Sequence, residues 1–438
     1  MVALYKKSIH KLTELLRALE ANRGDYKLLL RLQRELVVRI KRTDQRIAAL
    51  KQRKRALNKK KRTGGMSKVA AQAIKRRIAA VDEAISNAQW LLFLWRCFGD
   101  GVAFIYLDKY AIKHMLYNTH DYSMKEAAGP LLHKEGHKRE WSIVRGLAKK
   151  RLPAILCDIT NILRHGDVCL LIGPDPIPIE VKSSANRNAR ADRQVASLKA
   201  LRDFLETDEA NDFRGLEGVK RIELPLCDVN HSSAMNECIQ RSRSTGFAAI
   251  APEDGLIYAA LRSREAVEHL ASYIQRECML TLLNETKNEA RWPPYYPFTL
   301  SIREPLALCE FISGNVTLAV LLDAQAVIRA FAGRGLHAQF VEHPASILVV
   351  SRLGAVRDKD AFSAISTAFF ARLFYEFETI GALADMELAL IQKMEKMTLT
   401  EIQTTFDSGE LKAGGPLWPE FKPMRWSDRR LETCDHLG

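Results

Sequence analysis

The sequence predicts an α/β protein with an N-terminal α-helical coiled-coil arm, a central core of order αβββαβ and a C-terminal mixed α/β region. Three observations predict this organisation. Apolar residues at helical spacing fill the first part of the chain, short apolar runs alternate with amphipathic helices in the middle, and a second such alternation follows. The expected segments are a basic arm at 1–95, a helical connector at 96–130, the core at 131–228, an α/β domain at 229–400 and a tail at 401–438.

The composition is that of an ordinary globular protein. With 438 residues, of which 47% are hydrophobic and 27% charged, the chain is long enough for two or three domains with buried cores. Its longest apolar burst, WLLFLW at 90–95, is too short to cross a bilayer. Eight cysteines without a Cys-x-x-Cys pair favour reduced thiols over disulfides or a zinc ribbon. We therefore expect a cytoplasmic protein with no membrane contact.

The arm is predicted to be helical because its apolar residues recur three and four positions apart. The runs from Ile9 to Leu19 and from Ile74 to Ile85 follow this spacing, which is typical of helix-packing seams. The sequence TGG at 63–65 interrupts the pattern. We therefore predict a helical hairpin that packs on itself, on a second copy of the chain or on both, and with it a homo-oligomer.

The positive charge of the chain is concentrated in the arm. Residues 1–80 contain 24 Lys or Arg and five acids, which gives +19; the chain total of +14 therefore leaves −5 for the other 358 residues. Between Lys41 and Arg62, eleven basic residues accompany one acid, so most lack an acid four positions away. This pattern favours contact with a polyanion, and the alternative is a solvated face of a coiled coil.

Beyond the arm, turn residues separate helices from short strands. FGDGVAFIYLD at 98–108 contains two glycines that are expected to break the helix ahead of the connector. Past the connector, turns such as GPDP separate amphipathic helices from apolar strands. The expected core elements, in order, are a helix at 134–150, strands within 154–163, 166–172 and 179–183, a helix at 190–205 and a strand at 219–226.

The motif IEVKSS at 179–184 places an acid and a base two positions apart. If this stretch is a strand, Glu180 and Lys182 point to the same face, and Asp167 reaches that face from the neighbouring strand. Two carboxylates beside buried strands repel each other unless a divalent cation lies between them. The pattern therefore predicts a metal site at Asp167 and Glu180, and the alternative is a solvated strand face.

Asp167, followed after twelve residues by Glu180-Val181-Lys182 within the order αβββαβ, resembles the motif of the PD-(D/E)XK nuclease superfamily, whose fold is restriction-endonuclease-like. The resemblance covers about 134–226. It implies that Asp167 and Glu180, with the main-chain carbonyl of Val181, hold Mg²⁺ or Mn²⁺. It also implies that Lys182 orients or deprotonates the attacking water and offsets charge on the phosphate.

Further residues match elements that parts of this superfamily carry. Gln194, with a leucine four positions later, resembles a Gln-x-x-x-(Tyr/Leu) element, which implies that Gln194 positions substrate or a water on the metal. Glu140 lies on the preceding helix, where many members place a further acid, and Glu135 competes for that role. The chain departs from the usual pattern where Gly166 replaces a proline and Cys169 a second acid.

Two other motifs are weaker candidates for chemistry. His133 and His137 lie four positions apart, with Glu140 three positions further, a spacing that suits a transition metal. We interpret these histidines instead as exposed or paired with acids. The aromatic residues of RWPPYYPF at 291–298 could stack on bases, but the prolines favour a packed turn. The segment 229–400 has neither a phosphate-binding loop nor a nucleophile elbow.

Together these patterns predict a metal-dependent endonuclease or exonuclease that hydrolyses phosphodiester bonds of DNA, with Mg²⁺ or Mn²⁺ as cofactor. Its layout resembles that of bacterial DNA-processing and phage-defence nucleases. The expected partners are DNA, a second copy of the chain through the arm and a further protein. The alternative is a non-catalytic nucleic-acid-binding or assembly scaffold that retains the nuclease fold.

Overall fold

The computed structural model describes residues 2–62, 67–121, 123–132, 134–181, 189–222, 224, 229–263, 265–274, 277–353, 362–395 and 422–424. These residues form two compact units: unit 1 comprises those up to Glu206 together with Ala290–Leu300, and unit 2 comprises Thr207–Glu289 and those from Ser301 onward. The architecture is mixed α/β, with a helical N-terminal region and several small sheets, as the sequence predicts. Lys182 and most of the predicted tail lie outside the described residues.

Long helices form the N-terminal part of unit 1: α1 (Lys6–Ala21), α2 (Tyr26–Arg62) and α3 (Lys68–Tyr106). Helices α2 and α3 pack along each other as an antiparallel hairpin. Trp95 Nε1 donates to Thr43 Oγ1 at 3.2 Å near its base, and Lys54 pairs with Asp82 closer to its tip. The chain therefore forms the predicted hairpin with itself. None of the described helices combines the length and the apolar character that a bilayer-spanning helix needs.

The apolar seams of the arm pack within the chain. Their buried residues include Ile9, Leu12, Leu16, Leu19, Leu29, Leu32, Leu36, Ile40, Ile74 and Val81. Because these side chains are already covered by the helices and strands of one chain, they do not require a second copy for their burial. The homo-oligomer expected from the seams therefore stays a prediction.

Helix α3 continues through the two glycines that were expected to end it, so the expected break at 98–108 is wrong. A Cβ on Gly99 would lie 2.0 Å from the carbonyl oxygen of Ile159, and a Cβ on Gly101 would lie 2.8 Å from Leu16 Cδ2. Both glycines therefore permit close packing and do not mark a turn. Beyond α3, the described part of the connector contains a 3-10 turn at Ile112–Met115.

The sheet of unit 1 is antiparallel, with strand order β1-β2-β3. Its strands and flanking helices are α4 (His137–Lys149), β1 (Ala154–Leu156), β2 (Val168–Leu170), β3 (Ile177–Ile179) and α5 (Ala189–Thr207). This order matches the first five predicted elements. Strand β3 begins earlier than expected, because Pro178 occupies the sheet edge opposite Cys169, where a missing N–H is tolerated. Glu180 and Val181 therefore follow the strand and do not lie within it.

The strand expected at 219–226 is displaced. Its described residues overlap β5 (Leu216–Lys220), which pairs with β4 (Glu209–Phe213) in a separate hairpin. The turn between them contains two residues with positive φ, Arg214 and Gly215. Among the described residues, this segment adds no strand to the sheet of β1, β2 and β3.

The remaining elements form two antiparallel four-stranded sheets with helices against them. The sheet orders are β6-β7-β9-β8 and β12-β11-β10-β13. The elements are α6 (Ser232–Thr245), β6 (Phe247–Glu253), β7 (Leu256–Leu261), α7 (Ala266–Ala271), β8 (Cys278–Leu282), α8 (Leu283–Asn288), α9 (Phe298–Ser301), α10 (Pro305–Ser313), β9 (Thr317–Asp323), α11 (Ala324–Ala332), β10 (Leu336–Glu342), β11 (Ser346–Arg352), β12 (Phe362–Ser366), α12 (Thr367–Phe370), α13 (Arg372–Tyr375), α14 (Ile380–Glu395) and β13 (Lys422–Pro423). In the RWPPYYPF segment, Trp292 is buried against Phe298, as expected of a packed turn.

Candidate functional site

Asp167 is held by the backbone on both sides of β2. Its N–H donates to the Ile179 carbonyl and its own carbonyl accepts from Cys157 N–H, both at 2.9 Å. Gly166 precedes it with a φ of +74°, and a Cβ there would lie 3.0 Å from the Ile179 oxygen. Glycine is therefore the residue that fits this approach to β3. The carboxylate Oδ2 accepts the N–H of Val181 at 2.9 Å.

The register of β2 and β3 places two of the predicted acids at matching positions. Val168 pairs with Ile179, so Asp167 and Glu180 are the residues that directly follow this pair at the same end of β2 and β3. Residues opposite one another on antiparallel strands lie within a few ångströms of each other. The backbones of Asp167 and Glu180 are therefore neighbours, as expected, although Glu180 lies just beyond β3.

A lysine that the sequence did not single out is bound to three carboxylates. Lys134 Nζ lies 2.7 Å from Asp158 Oδ2, 2.9 Å from Asp167 Oδ1 and 3.0 Å from Glu140 Oε1. Its side chain is 29% exposed, whereas the three acids are more deeply buried. We call this group the Lys134 cluster. It joins the segment before α4, α4 itself, the turn after β1 and the start of β2.

Two of the three acids are placed by neighbouring helices. Asp158 lies in the 3-10 turn Cys157–Ile159, and its carbonyl accepts from Arg96 Nε on α3 at 3.1 Å. Glu140 lies in the first turn of α4 and is only 1% exposed. Its Oε2 has no hydrogen-bond partner in the described structure. Glu135, the competing acid, is exposed, so the burial of Glu140 distinguishes the two.

The segment that carries Lys134 is anchored to the arm. Asp44 Oδ2 on α2 accepts the N–H groups of Leu131 at 2.7 Å and Leu132 at 3.3 Å. Arg96 on α3 donates to two carbonyls of the same segment, at residues 128 and 129. Asp44 is the single acid between residues 41 and 62, and it points inward to this segment. Asp44 therefore helps position Lys134. Because Asp44 points inward, the basic residues of 41–62 have no acid from the same segment at the surface.

Burial and neighbouring charge shift the pKa values of this cluster. Burial raises the pKa of Glu140 to about 7, against the lowering effect of Lys134, and the charges of Asp167 and Asp158 raise it further. Burial lowers the pKa of Lys134, but attraction to Asp158 and hydrogen bonds to the three carboxylates outweigh it and raise the pKa above its ordinary value. Near neutral pH the lysine is therefore charged, and Glu140 is divided between its ionised and protonated forms.

His137 is the first residue of α4, three positions before Glu140, and it is buried. Of the two expected settings, exposed or paired with an acid, exposure is therefore wrong. Burial lowers its pKa, and the charge of Lys41 lowers it further. Its Nδ1 has no hydrogen-bond partner in the described structure. His133, the other histidine of the weaker metal motif, lies outside the described residues.

A second lysine lies near Glu180. Lys125 Nζ is 3.2 Å from His165 Nδ1, and His165 Nε2 is 2.8 Å from the carbonyl oxygen of Tyr117. Burial lowers the pKa of Lys125, while the charge of Glu180 opposes that shift. Glu180 therefore lies within electrostatic reach of Lys125.

Gln194 is half-buried on α5. In the described part of the chain it forms no hydrogen bond to Asp167 or Glu140, and its neighbour Ser197 bonds to Thr119 at 2.9 Å. The structure thus brings Asp167 and Glu140 together, leaves Gln194 apart from them in these contacts, and adds residues that sequence reasoning missed. The one available signal for Asp158 was its position as a lone acid in the apolar run AILCDITNIL.

The residues of the Lys134 cluster suit a hard divalent cation in kind. Carboxylate oxygens are the ligands that Mg²⁺ prefers, and one oxygen of Glu140 is buried without a partner. Among the described residues, no group of three or more His, Cys, Asp or Glu is arranged as a metal site. The acid oxygens of the Lys134 cluster lie 2.7–3.0 Å from its ammonium nitrogen, whereas Mg²⁺ binds oxygen at about 2.0–2.1 Å.

The far end of the α2–α3 hairpin carries a second candidate surface. We call this the basic tip, and its exposed residues are Lys51, Arg53, Arg55, Lys59, Lys60, Lys61, Arg62, Lys68, Lys75, Arg76 and Arg77. Asp82 pairs with Lys54 below the tip. Positive charge of this density attracts phosphate backbones.

Comparison with known proteins does not identify the chain. It matches no protein-family model, no curated protein and no solved structure. The resemblance to the PD-(D/E)XK nucleases therefore depends on its motif residues and on the order of its elements.

Proposed function

We propose that the chain is a nuclease that hydrolyses phosphodiester bonds of DNA and depends on Mg²⁺ or Mn²⁺. The observation that carries this proposal is the junction of β2 and β3. There Asp167 is next to Glu180 in register, accepts the Val181 N–H and shares Lys134 with Glu140. Buried and half-buried acids that converge in this way are a common arrangement for binding catalytic cations.

The proposed roles follow from the chemistry of each group. Asp167 and Glu180, with the carbonyl of Val181, would hold the metal, which supplies polarisation of the scissile phosphate. Glu140 would act as a further acid near it. Lys182 would orient or deprotonate the attacking water and offset charge on the phosphate. Gln194 would position substrate.

We also propose that α4, β1, β2, β3 and α5 form a restriction-endonuclease-like core. The order of these elements and the location of the acids at the β2–β3 edge support this assignment. The hairpin formed by β4 and β5 does not support it, because it contains the strand that was expected to join the sheet.

The basic tip is proposed to bind the DNA backbone. Its lysines and arginines are exposed, and the acid nearest in sequence on α2, Asp44, is turned into unit 1. Both facts support contact with a polyanion. A homo-oligomer and a further protein partner remain part of the proposal, without support from the seam residues.

A second candidate function is a non-catalytic nucleic-acid-binding or assembly scaffold. Lys134 favours it, because this residue binds three acids and so gives them a structural partner. A lysine-neutralised cluster can persist in a protein that has no catalytic metal.

Cleavage assays distinguish the two functions. Purified protein is incubated with plasmid DNA, single-stranded DNA and RNA, in Mg²⁺, Mn²⁺ or chelator. A nuclease cleaves DNA only with metal, and Asp167→Asn lowers the rate about a hundredfold or more. Glu135→Gln, which replaces an exposed acid near the same helix, serves as the control and retains activity. Metal-independent binding without cleavage would instead support the scaffold.

A further inference from the structure

We infer that the Lys134 ammonium occupies the position of a divalent cation, and that Glu140, Asp158 and Asp167 bind this cation when Lys134 moves away. Asp158 belongs to no motif of the sequence, and this site shares only Asp167 with the one formed by Asp167, Glu180 and Val181. The inference rests on the proposed function only for the use of the cation, since binding itself can be measured separately.

The geometry of the cluster already centres three carboxylates on one positive group. Their oxygens lie 2.7, 2.9 and 3.0 Å from Lys134 Nζ and come from three different elements. Shifts of about 0.6–1.0 Å would bring them to the distance at which Mg²⁺ binds oxygen, and shifts of about 0.1–0.7 Å would suit Ca²⁺. Rotations of side chains can supply movements of this size.

Lys134 is able to leave the cluster without a change in fold. It lies in the non-helical segment before α4, and 29% of its side chain is exposed. A long, flexible side chain at such a position can turn its ammonium into solvent. The acids, in contrast, are held by β2, by α4 and by the turn at Cys157–Ile159. The cation position is therefore the fixed part and the lysine the exchangeable part.

A second, independent observation points to a ligand. Glu140 is 1% exposed, and its carboxyl faces the cluster because Oε1 contacts Lys134. Its other oxygen, Oε2, is buried without a hydrogen-bond partner. An unpaired buried carboxylate oxygen is unfavourable. If both oxygens of Glu140 coordinated one cation, the unpaired oxygen would gain a partner.

The balance of charge favours the same conclusion. One ammonium faces the carboxylates of Asp158 and Asp167 together with the carboxyl of Glu140, so a divalent ion matches the charge of the group better than Lys134 does. Arg96 is the nearby guanidinium on α3. It donates to main-chain carbonyls, and its charge is shared among Asp44, Asp158 and Asp100, so it offsets only part of the charge of Asp158. The lysine therefore acts as an internal competitor that keeps the site closed until metal is abundant.

Calorimetric titration with MnCl₂ tests the inference on the full chain. Lys134→Met should bind Mn²⁺ at least about tenfold more tightly than the wild type, because the competing charge is gone. Lys138→Met, which removes an exposed lysine of α4, is the matched control and should bind like the wild type. Asp158→Asn added to Lys134→Met should weaken binding at least about tenfold, whereas Glu135→Gln added to it should not. Folded Lys134→Met with unchanged or weaker affinity would overturn the inference.

Circular dichroism covers the case in which Lys134→Met does not fold without metal. Recovery of its helical signal on addition of Mn²⁺ supports the site. If the signal does not recover, Asp158→Asn decides with Lys134 in place: loss of the Mn²⁺-induced rise in melting temperature supports the inference, and an unchanged rise overturns it. Tight binding of Mn²⁺ by Lys134→Met, together with no metal-dependent DNA cleavage by the wild type, would reject the nuclease proposal and leave the cation site standing.

Discussion

Lys134 in unit 1 and Lys287 in unit 2 are lysines of the same chain in opposite surroundings. Lys134 binds three carboxylates, which raise its pKa in spite of burial. Lys287 on α8 is 1% exposed and donates to the carbonyls of Phe311 and Ile312 at 2.7 and 3.2 Å. Burial lowers the pKa of Lys287 to about 8.

The difference separates a structural cation from a candidate functional one. Phe311 and Ile312 lie in the last turn of α10, where carbonyl groups lack the regular N–H partner four residues on, and the Phe311 carbonyl also accepts the N–H of Gly314 at 3.2 Å. Lys287 supplies those partners, and its ammonium also lies 4.8 Å from the centre of the Phe311 ring. The Lys134 cluster has three acids around one ammonium, and Glu140 Oε2 has no hydrogen-bond partner in the described structure. The contacts of Lys287 described above are, in contrast, to main-chain carbonyls and an aromatic ring. Burial of a lysine alone therefore does not indicate a site, whereas an excess of converging acids does.

The largest expected effect on stability comes from Gly99→Ala, which disturbs the turn that carries Asp158 of the Lys134 cluster. A Cβ 2.0 Å from the Ile159 carbonyl must push α3 away from the turn that carries Asp158. We expect a loss of more than about 3 kcal/mol in the free energy of unfolding, far above the gain of about 1 kcal/mol from replacing a helical glycine. Urea denaturation measures the change.

The control for this substitution is Gly146→Ala in α4. No heavy atom lies within 4 Å of the Cβ built at Gly146, so alanine there should stabilise by about 0.5–1 kcal/mol. Equal stability changes in the two variants would mean that the close approach of α3 does not position the turn.

The next effect contrasts the two lysines directly in chelator at pH 7. Lys134→Met leaves three neighbouring carboxylates without their cation and should destabilise by about 2–4 kcal/mol, the lower end reflecting solvent screening of a partly exposed side chain. Lys287→Met removes the donor to the Phe311 and Ile312 carbonyls, but it also removes the desolvation cost of a buried ammonium. Because these two effects oppose each other, stability should change by about 1 kcal/mol or less. Denaturation of both variants gives the comparison, which fails if Lys287→Met is the more damaging.

A third, smaller effect is the pH dependence of Lys287. Its folded pKa of about 8 lies below its ordinary value of 10.5, so between these values the unfolded chain binds more protons. The unfolding free energy should therefore rise with pH, by about 1.5 kcal/mol between pH 8 and pH 9.5. Below about pH 7, one unit under the folded pKa, this contribution is nearly constant. The rise should be absent from Lys287→Met, and an identical pH profile in the two proteins would contradict the assignment.

Local patterns predicted much of unit 1. The 3,4 spacing located the hairpin helices, and a glycine-led acid before an apolar run located Asp167 at the start of β2. The local rule failed at Gly99, where a glycine permits contact with a distant carbonyl and the helix continues. The expected start of β3 at residue 179 was also wrong, since β3 is an edge strand and tolerates Pro178, which a central strand would not.

The Lys134 cluster could not be predicted because its members meet only through tertiary packing. Lys134 and Glu140 belong to one segment, Asp158 to a turn and Asp167 to a strand, and no fixed spacing relates them. Burial of Glu140 is equally a property of how α4 packs on the sheet. Charge patterning, in contrast, is local, so the basic tip was already evident from the sequence.

The smallest effect on stability is expected at the basic tip, which offers a third environment for lysine. Deleting residues 1–80 is unsuitable as a test, because Gln33 on α2 bonds the backbone of β1 and Asp44 holds the segment before α4. Replacement of Lys59, Lys61 and Arg62 by glutamine removes three exposed charges and should alter the unfolding free energy by less than about 0.5 kcal/mol.

The same triple substitution at the basic tip should weaken DNA binding clearly. Each phosphate contact contributes about 0.9 to the slope of log affinity against log salt concentration, so the slope should fall in magnitude by about two to three. Glutamine at Lys149, Lys150 and Arg193, three exposed basic residues elsewhere in unit 1, provides a control of equal charge. Fluorescence anisotropy across a salt series measures both variants. An equal loss of slope in the two would assign the attraction to net charge, and an unchanged slope in the tip variant would leave the hairpin with a role in packing alone.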